Sequence, residues 1–231
     1  MNSDTLIWPA VFLGMYLFLE SLDWGLSLAA PFVARNQEEN KAVLSLLKPG
    51  IDLNEAWLIF GLSLVASAVP AAAGGAMHDS VMAMLSVAVV GGALRILAAF
   101  FKNVFGSALI LKGMSLYSVL ALFVIGLSGG AMVTGGNLMS GVGIVLSLWL
   151  ILACFQLAAL YGAVKIVNPL GERCRAAFLV SSILQLVFFL CMAFLLKGDI
   201  ADGPLSGFFW IGLAVSSALS IAAFFLARMR R

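Results

Sequence analysis

Seven long apolar runs, each broad enough to cross a bilayer, limit this chain to one kind of architecture. They lie near residues 6–31, 53–77, 80–101, 107–129, 138–164, 176–196 and 206–227. A spanning helix needs about 20 apolar residues. In hydrocarbon every backbone N–H and C=O must be bonded within the protein, so only helices or a closed barrel can cross. These runs are continuous rather than alternating, which points to helices. The expectation is an all-α membrane protein: a seven-transmembrane-helix bundle forming a single transmembrane domain over 1–231.

Composition supports the choice of solvent. Charged residues make up 10% of the chain, against about 25% in an ordinary soluble domain. So few charges cannot cover a water-facing surface, whereas lipid requires none. The distribution of charge then orients the chain. Arg35, Lys41, Lys48, Lys102, Lys112, Lys165, Arg173, Arg175, Arg228, Arg230 and Arg231 all fall on one side of a seven-span arrangement. The other side has Lys197 with Asp4, Asp79, Asp199 and Asp202. The positive-inside rule therefore places the N-terminus outside and the C-terminus in the cytoplasm. An even number of spans would break this bias. The N-terminal run has neither a basic leader nor a small-residue cleavage site, and reads as a retained first span.

Cys154, Cys174 and Cys191 form no C-x-x-C pair and read as free thiols. Gly126 and Gly130 stand in a G-x-x-x-G spacing, and Gly91–Gly92 and Gly135–Gly136 are pairs. Small residues let helix backbones approach closely. Packing inside one chain is the plain reading and a subunit contact the sharper one. Pro70 is expected to kink the second span.

The residues that could carry chemistry are the acids inside or beside the spans. A charge at the bilayer centre costs roughly 2.5–3.5 kcal/mol on insertion scales, so each needs a reason. Glu20 and Asp23 share a face of the first helix through their i, i+3 spacing. Asp52 and Glu55 repeat that spacing at the start of the second helix, beside Asn54 and Trp57. There the positive end of the helix dipole is a sufficient explanation. It does not explain Glu20 and Asp23. Those two either pair with Arg95, the one base well inside a span, or relay protons through raised pKa values. A relay also needs a charge partner, so both can hold. His78 is the only histidine, so bis-His haem ligation within this chain is impossible. No phosphate-binding loop, metal cluster or nucleic-acid surface is legible.

Several of these residues recur as motifs. Glu20-Ser-Leu-Asp23-Trp-Gly25, Pro31-Phe-Val-Ala-Arg35, Asp52-Leu-Asn54-Glu55-Ala-Trp57-Leu58, Pro70 and Leu94-Arg95 follow one another in order. Together they resemble subunit II of cytochrome bd-type quinol oxidases, with its D-G-F-D-x-G, P-F-x-x-R, W-D-G-N-E/Q-V-W-L and L-R-G-V-A-F-E runs. Ala159-Leu-Tyr161-Gly-Ala-Val-Lys165 and Gly171-Glu172-Arg173-Cys-Arg175 extend the likeness. The resemblance implies a haem-free subunit of a quinol:oxygen oxidoreductase in the bacterial inner membrane. Its expected partners are a haem-bearing subunit I, carrying haems b and d, and small single-span subunits. Quinol is the expected substrate of the complex. Asp52, Glu20, Asp23 and Glu55 become a cytoplasmic proton pathway, supported by Arg95, Asn54 and Trp57.

The chain also departs from the family pattern. Ile51 replaces a Trp, Leu53 a Gly and Phe100 a Glu. Gln156 stands where many relatives have His, and typical members have at least eight spans. Two other readings stay open: a purely structural assembly subunit, and a small permease or exporter with an acidic intramembrane site.

Overall fold

The computed structural model describes residues 4–47, 57–61, 63–64, 76–101, 104–134, 139–166 and 169–196, together with 218, 221 and 225. Among these residues the fold is entirely helical. The elements are α1 Asp4–Val33, α2 Gln37–Leu46, α3 at residues 57–61 and 63–64, α4 Ala76–Phe101, α5 Ser107–Thr134, α6 Gly141–Lys165 and α7 Pro169–Leu196.

Five of the expected spans coincide with α1, α4, α5, α6 and α7. Their ends differ because capping, not hydropathy, stops a helix. Helix α6 starts at Gly141, where the Ser140 side chain accepts a hydrogen bond from the Gly143 N–H at 3.0 Å. Helix α7 starts at Pro169, seven residues before its apolar run. Proline needs no N–H partner at that first position, and Glu172 meets the positive end of the dipole. The expected second and seventh spans lie mostly outside the described residues, as does Pro70.

The connection between the first two apolar runs, 32–52, holds the short helix α2. Asn36 caps that helix by accepting from the Glu39 N–H at 2.8 Å. Val43 and Leu47 are buried beneath it, while most of its remaining residues face outward.

Helix α6 is the hub, packed against α7, α5 and α1, and α5 also meets α4 and α1. The seam between α5 and α6 depends on small residues. A Cβ at Gly126 would strike the backbone of Ser147, and one at Gly130 the backbone of Gly143. The G-x-x-x-G spacing therefore serves packing within the chain. Ser147 Oγ donates across the seam toward the Phe123 carbonyl at 2.8 Å.

Two apolar clusters fill the interior. One gathers Tyr16, Trp24, Leu28, Leu58, Leu122, Ile125 and Cys154. The other gathers Val33, Val43, Leu47, Leu111, Leu170 and Cys174 at one end of the bundle. That second cluster brings together the segments carrying Arg35, Lys41, Lys112, Lys165, Arg173 and Arg175. All three cysteines are free thiols.

Candidate functional site

The centre of α1 is where the fold does something unexpected with a charge. Glu20 is only 1% exposed. Tyr16 and Trp24 flank it one turn away on each side, and both belong to the apolar core. Eight residues of helix rise about 12 Å, yet the two rings meet edge-on with centroids 6.0 Å apart. They lean toward each other over the turn that carries Glu20.

Asp23 is half-buried and turns toward α4 and α5. With Trp24, Ser27, Gly91, Tyr117 and Ser118 it lines a cavity of about 10 Å3. That is at the lower limit for admitting a single water. The hydroxyls around it are ordered. Ser27 and Ser118 share a hydrogen bond of 2.7 Å, Ser27 also donates to the Trp24 carbonyl at 2.8 Å, and Tyr117 donates to the Val87 carbonyl at 2.7 Å. The buried Trp24 indole N–H has no acceptor among the described residues. The cavity wall is mostly apolar, with Asp23 and the Ser27 and Ser118 hydroxyls among the residues that line it.

The other expected site residues are placed unevenly. Trp57 is half-buried in α3, its ring 5.4 Å from that of Phe12, and Leu58 is buried in the cluster of Tyr16 and Trp24. The end of the Asp52–Leu58 run thus docks beside the turn before Glu20. Asp52, Asn54 and Glu55 lie outside the described residues. Arg95 falls in α4 directly after Leu94, which lines the Asp23 cavity. The Arg95 side chain lies outside the described residues, and so does its expected pairing with the acids. Gln156 is buried and donates from Nε2 to Ser182 Oγ at 2.8 Å, an ordinary interhelical contact between α6 and α7.

A second charged group is absent from the sequence reading. Glu39 accepts from the Arg35 backbone N–H at 2.6 Å through Oε2 and from Arg173 Nη2 at 2.5 Å through Oε1. Arg173 Nε donates to the Val33 carbonyl at 2.6 Å. This clasp holds α2 and the start of α7 to the end of α1. The Arg35 N–H and then the Arg173 guanidinium hold the Glu39 carboxyl below its ordinary value of 4.5. One local signal was available: Asn36-Gln-Glu-Glu39 is a capping sequence, with a cap residue three positions before Glu.

Among the described residues no three His, Cys, Asp or Glu side chains stand together as a metal site. Among the described residues, two helical segments, Ser107–Ala131 and Gly141–Lys165, are long and apolar enough to cross a membrane. Large apolar side chains such as Phe18, Phe32, Leu116, Leu190 and Phe194 stand on the outer surface. These features define a helical membrane protein with a carboxylate sealed in its core. More specifically, the chain belongs to the cytochrome bd terminal oxidase subunit II family, whose profile matches residues 5–231. It is also similar to the cytochrome bd ubiquinol oxidase subunit 2 of Bacillus subtilis (strain 168), 33% identical over 60 residues. That match covers 26% of this chain and 18% of the relative, so it spans less than a fifth of the relative's length.

Proposed function

We propose that this chain is the haem-free subunit II of a bd-type quinol:oxygen oxidoreductase in the bacterial inner membrane. In this reading it holds a haem-bearing subunit I and supplies part of a cytoplasmic proton-uptake path. The family match over residues 5–231 carries the subunit assignment. For the path, the supporting observation is the burial of Glu20 in an apolar core, with Asp23 one turn on lining a small cavity.

Haems b and d, in the partner, would supply the electron transfer and oxygen reduction. The part of this chain is to take up protons and pass them on. Asp52 and Glu55 would collect them at the cytoplasmic start of the second span. Glu20 and Asp23, with a water and the Ser27–Ser118 hydroxyl pair, would carry them inward. Arg95 would hold the acids' charge, while Asn54 and Trp57 would support the start of the path. The proposed membrane arrangement is seven spans with the N-terminus outside. It is supported by the gathering of Arg35, Lys112, Lys165 and Arg173 at one end of the bundle.

The test is quinol-driven oxygen consumption in membranes carrying Glu20→Gln, Asp23→Asn or Asp52→Asn, with haem absorbance as the loading control. Loss of a relay acid is expected to slow turnover by about tenfold or more, a barrier increase of roughly 1.4 kcal/mol or more, while haem content stays normal. Wild-type respiration in all three would leave only a structural assembly subunit. A functional chain that purifies without any haem protein would point instead to a permease.

A further inference from the structure

We infer that the face formed by α1, α5, α6 and α7 is a binding site for one anionic glycerophospholipid, with its phosphate on Arg35 and Arg173 and one acyl chain in the groove. The groove has a volume of about 810 Å3. Phe32, Phe155, Val180 and Leu184 form much of its wall, and Arg35 and Arg173 stand at one end. Phe32 is 75% exposed although it is large and apolar, and Val180 and Leu184 are exposed too. The Phe32 and Phe155 rings meet edge-on at 5.7 Å, which makes a firm floor rather than a loose patch.

Length and charge decide the occupant. From Arg173 to Leu184 is eleven residues of helix, about 16 Å. One leaflet of hydrocarbon is about 15 Å deep. The groove therefore runs from a cationic rim to about mid-membrane, the path of a single acyl chain. At the rim, the Arg35 guanidinium is exposed and makes no ion pair with any described residue, since its link to Glu39 runs through the backbone N–H. Arg173 spends Nε and Nη2 on Val33 and Glu39, and its remaining nitrogen faces no described acceptor.

Glu39 offsets one of the two cations, so the rim carries one net positive charge, matching one phosphodiester. Both Glu39 oxygens are already bonded. The donors still open at the rim, on Arg35 and Arg173, are cationic, and no acidic residue lines the groove to attract the ammonium of a zwitterionic headgroup, which favours an anionic lipid. Basic pockets between helices on the cytoplasmic side hold anionic headgroups in the same way. A second groove among the described residues, lined by Leu94, Leu97, Phe101, Phe105 and Leu109, has no charged residue in that lining and no such preference. The lipid site does not depend on the oxidase reading.

Native mass spectrometry of the full chain, with whatever subunits accompany it, tests this in mixed micelles of phosphatidylglycerol or phosphatidylcholine. The expected result is one retained phosphatidylglycerol per chain and little phosphatidylcholine. Arg35→Gln, a change at an exposed position, should lower retention by about fivefold. Leu184→Trp should lower it by filling the groove while leaving Arg35 in place. Equal retention of the two lipids, or unchanged retention in both variants, overturns the proposal. So does full displacement by inorganic phosphate, which would mark an ion site only. A photo-crosslink from position 180 to a polypeptide instead of a lipid would assign the face to a protein partner.

Discussion

The α5–α6 seam and the centre of α1 are both buried and both partly polar, but they satisfy that polarity differently. In the seam, Ser147 hands its hydroxyl to the Gly143 and Phe123 carbonyls while Gly126 and Gly130 let the backbones close. Every group is neutral and packing alone accounts for it. In α1, Glu20 occupies a place that a leucine could fill, between two aromatic rings. Burying an ionisable group there carries a desolvation cost that its partners must offset. The contrast separates neutral hydroxyls that tie helix to helix from a carboxylate buried among aromatic rings.

The sharpest way to break this contrast is to overfill the seam. Gly126→Val would drive new methyl groups into the Ser147 backbone. A loss of about 3 kcal/mol or more is expected, seen as a large drop in detergent melting temperature. Gly129→Ala is the control, because its Cβ meets only the flexible Leu146 Cδ2 at 3.0 Å. If both melt alike, close backbone approach is not what holds the seam.

A smaller effect concerns the α6–α7 contact, where the two partners are not equivalent. Ser182→Ala strands the buried Gln156 Nε2 and should cost about 1–3 kcal/mol. Gln156→Leu should cost less, because Ser182 Oγ still reaches the Phe178 carbonyl at 2.8 Å. Denaturation midpoints of the two variants give the order, and the reverse order would mean that the Gln156 side chain, not the Ser182 hydroxyl, carries the contact.

The smallest effect is at the rim. Glu39 has a lowered pKa in the folded chain, so its contribution is full above its ordinary value of 4.5 and fades as pH falls through the lower folded value. Amide protection in α2, corrected for the intrinsic exchange rate, should hold at neutral pH and fall only below about 4.5. In Glu39→Gln that acid step should vanish. An unchanged step would place the responsible group elsewhere.

Much of the fold was legible because it rests on local sums. The positions of α1, α4, α5, α6 and α7 follow from apolar runs, while Pro169 and Ser140 set where α7 and α6 start. Helix α2 was hidden because Gln37–Leu46 is short and mostly polar, and hydropathy does not register such a segment even though Asn36 and Glu39 announce a cap. Within the site, the spacing of Glu20 and Asp23 gave them a shared face. It could not reveal that Glu20 is sealed under Tyr16 and Trp24 while Asp23 stays half-open beside Ser118. Gln156 drew notice by its position, and the fold gives it a plain contact with Ser182.

Sequence alone determined that the chain is helical, belongs in lipid and carries acids that lipid does not favour. Those properties depend on composition along a run and on the need to bond every backbone group in hydrocarbon. Tertiary structure decided which acid is buried and which helices close on glycine. It also brought Glu39 to Arg173, 134 residues apart. Burial and ion pairing depend on the rotation and depth of several helices at once, and no single stretch of chain encodes them.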